Sequence, residues 1–348
     1  MLRALALLTV LAAGPSLASA EALRIATYDA GLSRNGAGML LRELGRDPKP
    51  ELAAALAVIR AARPDILLLT RFDYDPKGRA LTAFRDLLAK GDDGIDYPHM
   101  FTAPVNAGVA SGLDLNGDGL DMGPGDALGW GRYPGHGGMA ILSRLEIDTG
   151  AMRSFRDLRW SDLPGARMPT RPDSAPWPDA ETAPELRLSS RSHWDVPVRL
   201  PGGARLHLLA ANPTPPLFDG PERANQLRNR DEIGLWTRYF DGVALADDSG
   251  HEAAAPDAPV VVLGNLNADP ADGAGIPDGI RALLAHPRLQ DPRPSSKGGA
   301  AAADPGHEGP PALDTADWSD PPEGPGNLRV DYVLPDARLT VLDAGVLW

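Results

Sequence analysis

Cysteine is absent from the 348 residues, so the chain has no disulfide framework and no thiol chemistry. Basic residues are also few: 34 Lys and Arg stand against 47 Asp and Glu, which gives a formal net charge of −13. Because long nucleic acids are held mainly by Lys and Arg on their phosphates, this balance argues against such a partner. Stability must come from a hydrophobic core, which a chain of this length can readily build.

Apolar runs long enough to span a bilayer, roughly 20 residues, are missing as well. A shorter run, residues 4–13, follows Arg3 and precedes the small-residue sequence Ala18-Ser19-Ala20. This order predicts a secretory signal peptide over residues 1–20, cleaved after Ala20, and a periplasmic or secreted protein. The alternative, a membrane anchor, is disfavoured because the run is short and Gly14 and Pro15 follow it.

Short runs rich in Val, Ile and Leu predict buried strands, and apolar residues at helical spacing predict helices between them. The predicted strands are residues 23–29, 65–69, 138–143, 185–190, 194–200, 205–210, 260–263, 328–334 and 339–347. The predicted helices are residues 51–62, 80–89, 219–239 and 279–285, and residues 97–133 are predicted to form a long surface loop. The alternation is typical of a layered α/β fold, and no linker-like segment divides residues 21–348 into separate domains.

The stretch 259–270, PVVVLGNLNADP, joins the clearest predicted strand to a group of polar residues. Asn265, Asn267 and Asp269 follow at the carboxyl end of that strand, where α/β sheets place their ligand sites. On its own the stretch is also explained by an Asx-type turn, since Asn and Asp readily bond their own backbone.

Four further segments carry matching patterns in chain order: IATYDA at 25–30, PDILLLTRFDYD at 64–75, LLAANPTPPLFDGPE at 208–222 and LRVDYVLP at 328–335. Together the five segments resemble the endonuclease/exonuclease/phosphatase superfamily, from about residue 23 to the last residue. The resemblance implies a four-layer α/β sandwich, with two central β-sheets flanked by helices. It also implies Mg²⁺ or Mn²⁺ at the strand ends. The net charge leaves a small phosphoester open as a partner, and we expect a monomer.

The metal-binding positions that the resemblance implies are altered in this chain. Asp29 stands where the family has Asn, so an oxygen ligand for the metal is kept. Arg71 stands where the family has its principal metal-binding Glu, and a permanent cation there opposes Mg²⁺. The alternative interpretation of Arg71 is an ordinary salt bridge with Asp29 or Asp73.

The catalytic positions are altered too. Asn212 replaces a His and can donate a hydrogen bond without carrying charge, and Asn265 replaces the Asp that serves as base. Asn267 and Asp331 match the family. There the Asp at position 331 orients a His from a later Ser-Asp-His segment, and none of the seven histidines follows Asp331, so we expect a domain that is truncated at its carboxyl end. Asn212 and Asn265 are also explained as satisfied turn residues.

These changes together predict a pseudoenzyme, which binds the metal weakly or not at all and hydrolyses phosphoesters weakly or not at all. Two alternatives stay open: an active Mg²⁺-dependent phosphodiesterase or phosphatase with a rearranged metal site, and a calcium-stabilised exported binding module. His136 and His193 are further candidates for phosphate contacts, although a lone His is more often structural.

One pattern is independent of the strand ends and matches the start of a calcium-binding loop. The matching residues are Asp114, Asn116, Asp118 and Gly119. The twelfth position is Gly125 instead of Glu, and Asp121 or Asp126 would have to supply the missing oxygen ligands. A surface loop rich in Asp and Gly, without an ion, explains the pattern equally well.

Overall fold

The structure is a computed structural model that describes residues 22–348. The predicted signal peptide, residues 1–20, lies outside the described residues. Within residues 22–348, no helix has both the length and the apolar character needed to cross a membrane.

The first sheet contains the strands β1 (Ile25–Asp29), β2 (Ile66–Phe72), β3 (His99–Phe101) and β4 (Gly138–Ser143). Their order across the sheet is β1-β2-β4-β3. β1 and β2 are parallel, so their carboxyl ends meet at one edge of the sheet, and β4 runs antiparallel to β2 and β3. Asp29 and Arg71 therefore emerge side by side.

The second sheet contains β5 (Arg153–Ser154), β6 (His193–Arg199), β7 (Arg205–Ala211), β10 (Val260–Asn265) and β11 (Asp331–Pro335). A separate two-stranded ribbon pairs β8 (Leu245–Ala246) with β9 (Glu252–Ala253). The order in the second sheet is β11-β10-β7-β6-β5, with β7 and β10 parallel. Asn212 and Asn265 thus also lie at one edge, next to the start of β11.

Within the described part of the chain, six α-helices accompany the sheets: α1 (Met39–Leu44), α2 (Pro50–Ala62), α3 (Arg79–Leu88), α4 (Ala224–Phe240), α5 (Asp278–Leu284) and α6 (Lys297–Ala301). α2 begins at a Pro in its first position and ends at Arg63, which is left-handed and precedes Pro64. Short 3₁₀ turns cover Thr149–Ala151, Trp160–Asp162, Ala183–Glu185 and Pro311–Leu313.

The core shows the four layers directly, because successive side chains on a strand point to opposite faces. On β2, Leu67 and Leu69 pack against α1, α2 and α3. Ile66 and Leu68 point the other way and pack against the second sheet, where Trp194 and Leu208 meet them in what we call the inter-sheet core. The outer face of the second sheet is covered by α4 and α5. The predicted four-layer α/β sandwich is confirmed.

Two predicted strands are wrong. Residues 185–190 form a 3₁₀ turn followed by irregular chain, because Ser189 and Ser190 bond the side chains of His193 and Glu232 in place of a neighbouring strand. Residues 339–347 are rich in Val and Leu, but among residues 22–348 they form no strand and take part in one isolated bridge, between Ser295 and Gly345. α1 was not predicted, since six residues are too few for a helical period to show.

Candidate functional site

The candidate site lies where the two sheets meet, at the carboxyl ends of two pairs of parallel strands, one pair in each sheet. β1 of the first sheet packs against β10 and β11 of the second. The parallel pairs β1/β2 and β7/β10 bring together the polar residues that the sequence singled out. These residues are Asp29, Arg71, Asn212, Asn265, Asn267 and Asp331.

Arg71 and Asp29 form a close ion pair at the centre of this edge. The Nε atom of Arg71 lies 2.6 Å from Oδ1 and 2.7 Å from Oδ2 of Asp29. Arg71 has a left-handed backbone (φ 48°) at an irregularity in the pairing of β2 with β4, between Leu69 and Phe72. That irregularity turns the guanidinium toward β1, so the salt-bridge interpretation of Arg71 with Asp29 is the one seen.

The Arg71–Asp29 ion pair disfavours a metal ion at the positions where the family resemblance places one. The only carboxylate among the implied metal ligands, Asp29, is neutralised by Arg71. Among residues 22–348, no three His, Asp or Glu side chains are grouped so that they could hold a metal ion. A hard cation needs several oxygen ligands without a competing positive charge, so the residues present do not fit Mg²⁺ or Mn²⁺.

The end of β10 is shaped by Gly264, whose φ is 155°. A Cβ atom there would lie 1.9 Å from the carbonyl oxygen of Ala211, so only Gly allows β10 to run this close to β7. The close approach lets Asn212 donate from Nδ2 to the backbone oxygen of Asn265 at 2.9 Å. Asn267, left-handed at φ 52°, donates to the backbone oxygen of Pro213 at 2.9 Å. The donor groups of Asn212 and Asn267 therefore hold the loop that follows β7.

Asp331 pairs with Asn265 across β10 and β11, and its backbone N–H donates to Oγ1 of Thr315 at 2.9 Å. Burial and, to a smaller extent, the charge of Asp29 raise the pKa of Asp331 to about 7, while Thr315, Asn265 and Arg71 act in the opposite direction. Oδ1 of Asp331 and Oδ1 of Asn265 are buried without hydrogen-bond partners.

Arg191 is a site residue that the sequence did not reveal. Its Nε donates to the backbone oxygen of Gly137 at 2.9 Å. A Cβ atom on Gly137 would lie 3.8 Å from a guanidinium nitrogen of Arg191 and 3.9 Å from the Cα of Arg71, so the two arginines are neighbours. Burial lowers the pKa of Arg191 to about 10, which leaves it charged at neutral pH. No motif surrounds Arg191, so only the structure places it here.

α4 supports the site from behind through the buried carboxylate of Glu232. Its Oε1 accepts hydrogen bonds from the backbone N–H (2.6 Å) and the hydroxyl (2.9 Å) of Ser190. Its Oε2 accepts from the backbone N–H of Thr214 at 2.7 Å. Burial raises the pKa of Glu232. One side chain thus fixes the segments that carry Arg191 and Asn212.

The two histidines considered as phosphate contacts differ in their surroundings. His193 is fully buried, with Nδ1 bonded to Ser189 and Nε2 to the backbone oxygen of Glu232, and burial lowers its pKa to about 4. It is a neutral structural residue. His136 precedes Gly137 and stacks near Trp130, with ring centroids 5.6 Å apart, and burial lowers its pKa. Trp130 is half exposed, so it adds an aromatic surface to this region of the protein.

The candidate calcium loop is ordered by its own hydrogen bonds. The carboxylate of Asp114 accepts from the backbone N–H groups of Gly117, Asp118 and Gly119. Asn116 donates to Asp118 at 3.1 Å. Asp126 is buried and uses Oδ1 to accept from Leu115. The loop has the expected turn at Gly119, and Ca²⁺ binding there stays a prediction.

This layering, with polar residues from both sheets at one shared edge, defines a four-layer α/β sandwich with its site at the strand ends. A model of the endonuclease/exonuclease/phosphatase family matches residues 35–348, so the chain belongs to that family. Members of the family generally use divalent metal ions. A search of curated proteins found no match.

Solved structures with a similar fold include an endonuclease/exonuclease/phosphatase from Beutenbergia cavernae, with 18% identity and a TM-score of 0.49. The match covers 90% of this chain and 64% of that chain. A β-hairpin deletion mutant of β toxin from Staphylococcus aureus shows 12% identity and a TM-score of 0.46, with 94% of this chain and 91% of that chain covered. The human Nocturnin catalytic domain with bound sulfate shows 13% identity and a TM-score of 0.42, with 90% and 83% covered.

Proposed function

We propose that this protein keeps the scaffold of its family, binds a small phosphoester through Arg71 and Arg191, and hydrolyses it weakly or not at all. The observation that carries the proposal is the Arg71–Asp29 ion pair, at 2.6 Å, in the place where the family resemblance puts the metal. A guanidinium neutralises phosphate oxygens as a metal does, but it cannot generate a hydroxide nucleophile from bound water.

The other two substitutions act in the same direction. Asn265 is an amide and accepts no proton, so an attacking water has no general base at that position. Asn212 cannot supply the positive charge that a His would place on a phosphate oxygen. Since each lost catalytic group commonly costs ~10² to 10⁴ in rate, the combination leaves little turnover.

Binding without metal is tested by titrating nitrophenyl phosphate into the protein in the presence of a chelator. We expect saturable binding that falls about tenfold or more in Arg191→Gln, because two charge-assisted hydrogen bonds to the phosphate are lost. Arg205→Gln is the matched control, since Arg205 is exposed and pairs with Asp148 away from the site. Binding that disappears with the chelator would contradict the proposal.

Hydrolysis is tested with a nitrophenyl phosphodiester and Mg²⁺ or Mn²⁺. We expect the wild-type rate to stay near background and a triple variant, Arg71→Glu with Asn212→His and Asn265→Asp, to gain metal-dependent activity. Single replacements should not suffice, because catalytic groups that act together are strongly non-additive. Turnover by the wild-type protein that is lost in Asp331→Ala would establish the alternative, an active enzyme with a rearranged site.

A further inference from the structure

A cavity lies beside the turn that follows β10, and Asp29, Arg71 and Arg191 do not line it. Its volume is about 300 Å³, and it lies between that turn, α5 and the segment that leads into Thr315. Its lining residues include Asp269, Arg281, Leu284, Leu313, Asp314 and Arg329. The volume matches the lower end of small-molecule sites in proteins.

Asp314 sets the character of this cavity. It is only 7% exposed, yet no hydrogen bond to its carboxylate is formed by residues 22–348. A buried carboxylate without a donor is costly, so it is normally paired with a cation or a hydrogen-bond donor. The carboxylate of Asp314 lines the cavity and is available to a ligand that enters it.

The neighbouring carboxylates are already satisfied and serve the fold. Asp269 accepts from the backbone N–H groups of Ala271, Asp272 and Arg329. Asp272 accepts from the backbone N–H groups of Glu308 and Gly309. Asp314 is therefore the acidic group of the cavity that is left for a ligand.

The potential at Asp314 favours a positive ligand. Burial, together with the charges of Asp269, Asp272 and Asp304, raises the pKa of Asp314 to about 6, with His307 acting against them. At about pH 8 the carboxylate is ionised, and the charges that act on it most strongly are those of Asp269, Asp272 and Asp304, with His307 opposed to them. A cation placed there would be attracted by all of them.

Three arginines, Arg281, Arg293 and Arg329, line the cavity, and none forms an ion pair with Asp314 among the residues that the structure describes. Arg293 is exposed, and its charge lowers the pKa of Asp291. Arg329 gives both terminal nitrogens to Asp291, at 2.6 and 2.8 Å. Arg281 is exposed and donates from Nε to the backbone oxygen of Pro270 at 2.6 Å. Apolar side chains, Leu284 and Leu313, complete the wall.

We propose that this cavity binds a small organic ammonium compound, with its ammonium group on Asp314 and its alkyl part against Leu284 and Leu313. A metal ion does not fit, because no three His, Asp or Glu side chains among residues 22–348 are grouped to hold one. The proposal does not depend on the function proposed for the Arg71 site.

The test is calorimetric titration at about pH 8 with butylammonium, and with butanol and butyrate as neutral and anionic ligands of similar size. We expect saturable binding of butylammonium alone. Asp314→Asn should weaken that binding about tenfold or more, since an amide keeps the shape and loses the charge. Equal binding of butanol, no binding of butylammonium, or unchanged binding in Asp314→Asn would overturn the proposal.

A second pair of variants keeps the test valid if Asp314→Asn does not fold. Ala285 lines the cavity and is exposed at the end of α5, so Ala285→Leu should fill part of the volume and weaken butylammonium binding. Ala282→Leu is the matched control, because Ala282 is exposed on the same helix and does not line the cavity. Equal affinity in the two variants would place the ligand elsewhere and refute the proposed site.

Discussion

At the scale of single residues, Arg71 changes the electrostatics of the family site more than its stability. The side chain of Arg71 is 54% exposed, and ion pairs of that exposure typically contribute about 0–1 kcal/mol. Its effect on a metal ion is larger, because the guanidinium is paired with the carboxylate of Asp29, which the metal would need as a ligand, and because its positive charge repels the metal. The pair with Asp29 is therefore better explained by what the site binds than by folding.

Asp331 gives a residue-scale prediction about pH. Its pKa is about 7 in the folded protein and near 3.8 when unfolded, so its contribution to stability is fully present below about pH 4 and lost as the pH rises to about 7. Because Asp331 is partly exposed, we expect about 1–2 kcal/mol from this group. Asp331→Asn should remove that part of the pH dependence in urea unfolding. If the free energy of unfolding depends on pH in the same way in the wild type and in Asp331→Asn, the raised pKa does not belong to Asp331.

At the scale of elements, α4 connects the sheet to the loops that carry the site. Besides Glu232, it contributes Asn229, whose Nδ2 donates to the backbone oxygens of Thr214 and Leu266 at 2.8 and 2.9 Å. Two polar side chains, one helical turn apart, thus hold the loops after β7 and β10. A helix predicted from its apolar face alone would not reveal this second role.

Glu232→Gln tests that role. The amide places a donor where the carboxylate accepts from Ser190 or Thr214, so one backbone N–H is left buried and unpaired. We expect a loss of about 2–3 kcal/mol in the free energy of unfolding, measured with urea. Glu181→Gln, at an exposed position, should change it by less than about 0.5 kcal/mol. A similar small change in both variants would show that Glu232 does not organise the loops.

The loop of residues 114–126 gives a second prediction at this scale. If Ca²⁺ binds it, the ion should contact Asp114, Asn116 and Asp118, and protect the loop from proteolysis by stabilising the native state. Asp118→Ala should then abolish the protection, which limited proteolysis with and without Ca²⁺ measures. Asp121→Ala is the comparison that shows whether Asp121 completes the site. Protection that persists in Asp118→Ala would place any calcium site elsewhere.

At the scale of the whole molecule, the sequence predicted the layers because each central strand is a continuous apolar run. Residues 66–69 and 260–263 are buried on both faces in the structure, as such runs indicate. The site was predicted less completely. Asp29, Arg71 and Asp331 stand at strand ends with recognisable motifs, whereas Arg191 and Glu232 reach the site through tertiary contacts that leave no local pattern.

The last prediction concerns cooperativity between the two sheets. They share the inter-sheet core, where Leu68 of the first sheet lies in the same cluster as Trp194 of the second, so separating the sheets would expose this core. Leu68→Ala should cost about 2–5 kcal/mol. Trp160 and Trp236 belong to the cluster on the outer face of the second sheet, and Trp194 extends from β6 of that sheet into the inter-sheet core, so the fluorescence of these buried tryptophans reports on the second sheet.

If the described residues form one unit, Leu68→Ala shifts the urea transition of far-ultraviolet circular dichroism and that of tryptophan fluorescence by the same amount. Leu342→Ala is the control, because Leu342 is 76% exposed and its removal should leave both transitions in place. Two sheets that unfold separately would instead keep the fluorescence transition near its wild-type midpoint while the dichroism transition broadens. That result would divide residues 21–348 into two units and contradict the single-domain prediction.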